Sequence, residues 1–262
     1  MATIVARSKY GKKFKVSVED KHKYFNFDSQ TIYLNKTDVD KDSNNGFNIG
    51  TNCLVAYNLS TNVVIQQGTA EDQRVGNKVY MKFLHFTYSL GLSGASLTTN
   101  LPHGDLADLF LRFRVMVVKF ENEMSSQQLV EWFRTTYIYF KTMTVGALTW
   151  PCQSVHQTKL RESTPYTGRF KILYDKKLKM GKKKTVKVSN ISIPIKQNLN
   201  FENTYNKVTD DTFKNIYAIF IGPCFNDIDT DSITSDKTYS FSSERVFLAG
   251  IHAVMKYEYY DI

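Results

Sequence analysis

Cys152 and His156 are the residues whose types and spacing come nearest to a catalytic pair. A thiol beside an imidazole can act as a nucleophile with its general base. Their segment is predicted to be a loop, and no third residue is recognisable that would orient the imidazole. We interpret both as structural, together with Cys53 and Cys224, because the three cysteines are far apart and form no C-x-x-C pair.

Asp227, Asp229 and Asp231 alternate like the first ligands of a calcium loop. Ser232 replaces the glycine that such a loop requires, and Thr238 stands where its bidentate glutamate should be, which excludes an EF-hand. A solvated acidic loop is the favoured interpretation. We expect no cofactor, and calcium held at a subunit contact by these carboxylates is the alternative.

Motifs for hydrolysis are missing from the sequence. The segment 181–185, GKKKT, has the lysine and threonine of a phosphate-binding loop but not its glycine spacing. Neither H-E-x-x-H nor G-x-S-x-G occurs. The sequence therefore predicts a protein that is not an enzyme.

Positive charge is concentrated in two places. The chain carries 34 Lys and Arg against 25 Asp and Glu, a net charge of +9. Residues 1–25 hold seven of these cations against two acids, namely Arg7, Lys9, Lys12, Lys13, Lys15, Lys21 and Lys23 against Glu19 and Asp20. We predict that residues 1–20 are a basic arm that follows a phosphate backbone. The second cluster, Lys176 to Lys187, is interpreted as a solvated hairpin whose tip is Met180 and Gly181.

A polar loop, residues 66–78, leads into an apolar and aromatic strand. Gly68 and Gly76 are predicted to turn the chain at positive φ, and Arg74 between them to clamp a neighbouring carboxylate or backbone. An ordinary connection between strands is the simpler alternative. We treat Gly68, Arg74 and Gly76 as a structural loop.

Period-two alternation dominates the sequence and predicts an all-β domain over residues 21–262. The expected strands are 21–34, 78–90, 109–120, 134–145, 169–179, 184–195, 216–221 and 246–260, with a short extra strand at 53–57. A change of apolar parity within 78–90 indicates a bulge or full burial. One short helix is expected, capped by Ser125 and Ser126 and running through Phe133.

No apolar run is long enough to span a bilayer, and the first ten residues are too polar for a secretory signal. We therefore expect no membrane insertion, reduced thiols and assembly inside a cell.

Three stretches of the chain carry a resemblance to a known family. They are 67–78 (QGTAEDQRVGNK), 113–118 (FRVMVV) and 170–176 (FKILYDK). In this order the chain resembles the capsid proteins of small circular single-stranded DNA viruses of the circovirus and cyclovirus type. It is also similar to the coats of satellite RNA plant viruses.

The resemblance implies a single eight-stranded jelly roll in which strands B, I, D and G form one sheet and C, H, E and F the other. It further implies a shell of sixty copies (T=1) around a single-stranded genome, without catalysis, in a virion assembled in the host cell or its nucleus. A host receptor is implied but not identified. The chain departs from the circovirus pattern because it lacks a long Arg-rich arm.

Combining this topology with the alternation predicts a basic face. If 109–120 is strand D, 184–195 strand G and 246–260 strand I, one sheet carries Arg112, Arg114, Lys187 and Lys256, joined by Lys21 and Lys23 on strand B. This face, with the arm cations, is predicted to line the particle and neutralise phosphates without reading bases.

Two other functions fit the composition, since a fold does not determine function. A carbohydrate-binding jelly roll would use Trp132 or Trp150 beside carboxylates. A single-strand-binding protein outside any capsid would share the basic contacts but form no shell.

Overall fold

The structure is a computed structural model of the chain. It describes residues 2–7, 13–18, 20–35, 54–60, 63–70, 72–92, 100–101, 104–105, 111–137, 142–145, 148–151, 169–181, 183–201, 208, 213, 215–222 and 245–262. The elements run in the order β1 (Ala2–Arg7), β2 (Lys13–Val18), β3 (Lys21–Asn26), β4 (Gln30–Asn35), β5 (Leu54–Asn58), β6 (Lys78–Leu92), β7 (Asn100–Leu101), β8 (Gly104–Asp105), β9 (Leu111–Phe120), α1 (Ser126–Tyr137), β10 (Thr142–Val145), β11 (Leu148–Pro151), β12 (Phe170–Met180), β13 (Val186–Asn200), β14 (Ile216–Ile221) and β15 (Arg245–Asp261).

Two antiparallel sheets dominate the described chain. The larger sheet has the strand order β13-β6-β15-β3, and β4 also pairs with β15. The smaller sheet has the order β12-β9-β14-β5. In jelly-roll letters these orders are G-D-I-B and F-E-H-C, so the chain folds as a jelly roll, as predicted.

The core lies between the two sheets because alternate side chains of each strand point inward. On β6 the inward residues include Val79, Met81 and Leu84, which are fully buried. They share one hydrophobic cluster with residues of β9 and β14. Tyr88 of β6 and Phe220 of β14 meet edge to face with ring centroids 5.0 Å apart, which joins the two sheets across the core.

A bulge on β6 explains its change of apolar parity. Across β15 the pairing shifts from Glu258 opposite Phe83 to Tyr259 opposite Met81, which leaves Lys82 as the extra residue. The partner β13 is also irregular here, and its Lys196 adopts a φ of 50°. The prediction of a bulge is therefore confirmed.

Helix α1 begins with a capping box. The Ser125 Oγ accepts a hydrogen bond from the Gln128 amide at 3.3 Å, while the Gln128 Oε1 accepts one from the Ser125 amide at 2.8 Å. Trp132 packs on Phe120 and Phe170 with ring centroids 5.0 and 5.2 Å apart. The predicted helix is confirmed, and it covers the outer face of the smaller sheet.

The strand assignment contained one error that matters for function. The predicted strand 134–145 is wrong, because α1 continues to Tyr137. Within the described part of this range the extended residues are Thr142–Val145, which pair with Leu148–Pro151 in a separate two-stranded sheet. The short strand β5, expected as an extra, is instead a full member of the smaller sheet. Leu111–Phe120 is consequently strand E and not strand D.

The predicted strand 21–34 is interrupted at residues 27–29, and its two halves, β3 and β4, both pair with β15. No helix in the described part of the chain is long and apolar enough to cross a membrane.

Candidate nucleic-acid interface

The basic N-terminal segment contains an antiparallel pair of strands, β1 and β2. Its register places Arg7 directly opposite Lys13, and Val5 opposite Lys15. Lys9 and Lys12 lie outside the described residues. Residues 2–7 and 13–18 are thus paired strands, and the role of this segment as a nucleic-acid arm stays a prediction.

Lys21 and Lys23 do not contribute to an open basic face. They lie opposite Tyr259 and Tyr257, which are inward-facing residues of β15. The Lys21 Nζ lies 2.8 Å from the Asp261 Oδ2 and donates to the backbone oxygen of Gln73 at 2.8 Å. Both lysines instead anchor the loop before β6, because Lys23 pairs with Asp72 of that loop.

Hydrogen bonding to Lys23 lowers the pKa of Asp72, so the carboxylate of this pair is ionised at neutral pH. The contact is at the surface, where its contribution to stability is small.

Lys187 and Lys256 share the larger sheet but lie on opposite faces of it. Lys187 is opposite Leu90, which is fully buried on the inner side. Lys256 is opposite His85 and Tyr24 on the outer side. The predicted basic face of one sheet is therefore wrong, since alternation places Lys187 with the core positions and Lys256 with the solvent positions.

Arg112 and Arg114 lie in the other sheet, on β9. Arg114 is only 2% exposed, and its guanidinium binds Asp175 of β12 through two hydrogen bonds, Nε to Oδ1 at 2.8 Å and Nη2 to Oδ2 at 2.6 Å. It also lies over the Phe133 ring of α1, 5.9 Å from the centroid. Arg112 is half-buried, and its Nε makes no hydrogen bond among the described residues. Neither arginine shares a sheet with Lys256.

The Lys176 to Lys187 cluster is not the predicted hairpin, because β12 and β13 belong to different sheets. The chain turns between Gly181 and Lys184, which are joined by backbone hydrogen bonds of 2.8 and 3.2 Å, and Met180 at the predicted tip is fully buried. Lys177 and Lys179 are exposed on β12, as are Lys183 and Lys184 in the turn. Lys177 and Lys179 thus belong to the smaller sheet, whereas Lys256 belongs to the larger one.

The loop before β6 is organised by Arg74, which is fully buried. Its guanidinium donates to the backbone oxygen of Ile65 at 3.1 Å, to that of Gly76, and to the Asn77 Oδ1 at 3.0 Å. Desolvation lowers the pKa of Arg74, opposed by the nearby Asp261 carboxylate. The predicted clamp on the backbone is confirmed, and its role is structural.

The predicted reason for the two glycines is wrong, because neither Gly68 nor Gly76 has a φ in the left-handed region. Gly68 is instead constrained by space. A Cβ there would lie 1.8 Å from the Gln73 Oε1, which accepts a hydrogen bond from the Ala70 amide at 3.2 Å.

The outer face of the larger sheet holds a polar network that spans several strands. The Lys82 Nζ donates to the Glu258 Oε1 at 2.7 Å and to the Asp20 Oδ1 at 3.0 Å. The Glu258 Oε2 lies 3.2 Å from the His85 Nε2, and the His85 Nδ1 lies 2.7 Å from the Ser192 Oγ. Hydrogen bonding to Lys82 lowers the pKa of Glu258, and hydrogen bonding to Glu258 raises the pKa of Lys82.

The same face carries aromatic rings that the sequence interpretation missed. Tyr80 and Tyr260 stack with centroids 4.9 Å apart, and Phe83 stacks on His85 at 5.8 Å. Tyr24 is 64% exposed. The signal was available, since Tyr80 and Tyr260 each lie next to buried residues along the strand and must point outward.

Within the described residues no cluster of three or more metal ligands occurs. Asp227, Asp229 and Asp231 lie outside those residues, as do Cys152 and His156, so the calcium alternative and the thiol pair are untested.

Comparison with known proteins gives little. No family model matches the chain, and no curated protein does. A solved structure of VP1 from Trichodysplasia spinulosa-associated polyomavirus, in complex with sialylated precision glycooligomers, is similar with a TM-score of 0.30 and 12% identity, over 99% of this chain and 98% of that one. A likeness this low supports no argument, so the jelly roll is assigned from the strand order alone.

Proposed function

We propose that this chain is a viral coat protein that assembles into a closed shell of sixty copies and packages a single-stranded genome, with circular DNA as the expected form. The observation that carries the proposal is the order of strands in the two sheets, G-D-I-B and F-E-H-C, which includes every described strand of ten or more residues. Jelly rolls of this order occur in viral capsids and in lectins.

The charge distribution favours the capsid over the lectin. Of the tryptophans considered for a sugar site, Trp132 lies on the inner side of α1, where it is fully buried against Phe120 and Phe170 and cannot contact a sugar. The basic N-terminal segment, in contrast, suits a polyanion, because it contains more cations than acids. The cations are Arg7, Lys9, Lys12, Lys13 and Lys15. We assign phosphate contact to these five residues and no catalytic role to the chain.

Expression of the full chain, followed by size exclusion and negative-stain microscopy, tests the proposal. Uniform spherical particles with a high ratio of absorbance at 260 to 280 nm are expected, because the shell should retain nucleic acid. Particles without nucleic acid would support shell assembly and contradict the proposed packaging. A monomer that forms no shell at any salt concentration or pH would overturn the capsid and favour a single-strand-binding or carbohydrate-binding module.

A further inference from the structure

The outer face of the larger sheet carries several aromatic side chains. Five rings lie at positions that alternate with core residues on three neighbouring strands. They are Tyr24 on β3, Tyr80, Phe83 and His85 on β6, and Tyr260 on β15. We propose that this ring face binds the unpaired bases of a single-stranded nucleic acid by stacking. The proposal rests on the packaging function above and names how that genome is held.

The rings form a band across the sheet. Tyr80 and Tyr260 stand side by side at the end near the C-terminus, and Phe83 and His85 follow along β6. Tyr24 lies in the same register row as His85, on the far side of β15. Because every base has a π face, such a band holds bases of any sequence.

The described charges of this face sum to a small positive excess, Lys78, Lys82 and Lys256 against Glu258 and Asp20. Its two described carboxylates, Glu258 and Asp20, both accept hydrogen bonds from Lys82. Lys256 stands over the Tyr24 ring, with the Nζ 6.0 Å from the centroid, and Lys78 is exposed beside Tyr80. Lysines placed among aromatic rings attract the phosphates of a nucleic acid while its bases stack on the rings. The binding of a neutral sugar to aromatic rings does not require such cations.

The basic segment leads to the same face. Its last described residue, Asp20, hydrogen-bonds to Lys82, and β3 then begins opposite Tyr259, next to the stacked pair of Tyr80 and Tyr260. A nucleic-acid strand whose phosphates contact the basic segment would therefore reach the ring face at the end that carries Tyr80 and Tyr260.

The test compares two probes with the same number of phosphates, an oligothymidylate and an abasic oligonucleotide of equal length, bound to the full chain at fixed salt. Stacking of each base on an aromatic side chain is substantial, so we expect the oligothymidylate to bind at least about tenfold more tightly. Equal affinity for the two probes would overturn the proposal, because phosphates alone would then account for binding.

Variants of the rings locate the effect. Tyr24→Leu and Tyr260→Leu should reduce the preference for bases about tenfold while leaving affinity for the abasic probe unchanged, and Tyr24→Phe should retain it. Lys179→Ala, on the other sheet, is the control and should not alter the preference. If the leucine variants keep the full preference, bases stack elsewhere and the proposal fails.

Microscopy of the same variants separates this inference from the proposed function. Shells that form normally from Tyr24→Leu but lose the base preference support both. Intact shells whose preference for the oligothymidylate is unchanged would contradict base stacking on the ring face but not the proposed coat function. Binding of a glycan to the ring face in preference to either oligonucleotide would contradict the proposal and favour the carbohydrate-binding alternative.

Discussion

Arg114 and Asp175 form a two-point ion pair between β9 and β12, with the guanidinium 2% exposed and the carboxylate 29% exposed. The unequal burial of the two partners has an energetic consequence. Removing the Asp175 carboxylate leaves the buried charge of Arg114 without its counterion. Removing the Arg114 guanidinium leaves a carboxylate that water can still reach.

Asp175→Asn should therefore destabilise the subunit by about 3 kcal/mol, because the Arg114 guanidinium keeps its charge without its counterion. Arg114→Met should cost less, about 1 kcal/mol, because the methionine fills part of the space against Phe133. Urea unfolding measures both, with the exposed Lys179→Ala as control at within about 0.5 kcal/mol of the wild type. A larger loss for Arg114→Met than for Asp175→Asn would contradict this account.

The pair also changes what can be learned from arginine substitutions on β9. If Arg112 and Arg114 lay on an open basic face, replacing both with alanine would lower nucleic-acid content without affecting the shell. Because Arg114 holds two strands and α1 together, its loss weakens the subunit itself, and a loss of packaging in that variant would report folding as much as binding.

Gly68→Ala tests whether this position needs space or an unusual backbone. Its backbone is not left-handed, so the added methyl meets only the flexible end of Gln73. We expect a cost of about 1 kcal/mol, from displacing that side chain and its hydrogen bond to Ala70.

A double-mutant cycle with Gln73→Ala makes the test sharp. With the Gln73 side chain removed, Gly68→Ala should cost nearly nothing, so the two substitutions should be strongly non-additive. Thermal unfolding of the four proteins gives the coupling energy. Additive costs would mean that the backbone itself resists the substitution.

The fold could be predicted from the sequence because its main signal is local. Inward and outward positions alternate along strands such as β13, and that pattern needs no knowledge of partners. The identity of each strand is not local. A five-residue strand, Leu54–Asn58, counts as much in the topology as a fifteen-residue one, and the apolar stretch after Phe133 suited helix and strand alike.

The site was predicted less well for the same reason. Lys23 looked available in the sequence, but its partner Asp72 lies 49 residues away, and the partner of Arg114 lies 61 residues away. Leu111–Phe120 is strand E of the jelly roll and not strand D, and this difference places Arg112 and Arg114 in the smaller sheet. Arg74, whose contacts are mostly within its own loop, was predicted correctly.

Glu258 should make the stability of the larger sheet depend on pH. Lys82 and His85 hold its carboxylate in the folded state, and the hydrogen bond from Lys82 lowers its pKa below the usual 4.5. A carboxyl whose pKa falls on folding contributes stability above its unfolded pKa and loses it as the pH falls through the folded value. Glu258→Gln should therefore be less stable than the wild type at neutral pH.

The difference between the two proteins carries the information, because many other carboxyl groups titrate in the same range. It should be present at neutral pH and shrink as the pH drops below the unfolded pKa of Glu258. Urea unfolding of both proteins over this range measures it, and Glu121→Gln, an exposed glutamate outside the network, should show no such change. Wild-type and Glu258→Gln curves that stay parallel at every pH would mean that Lys82 does not stabilise the ionised carboxylate.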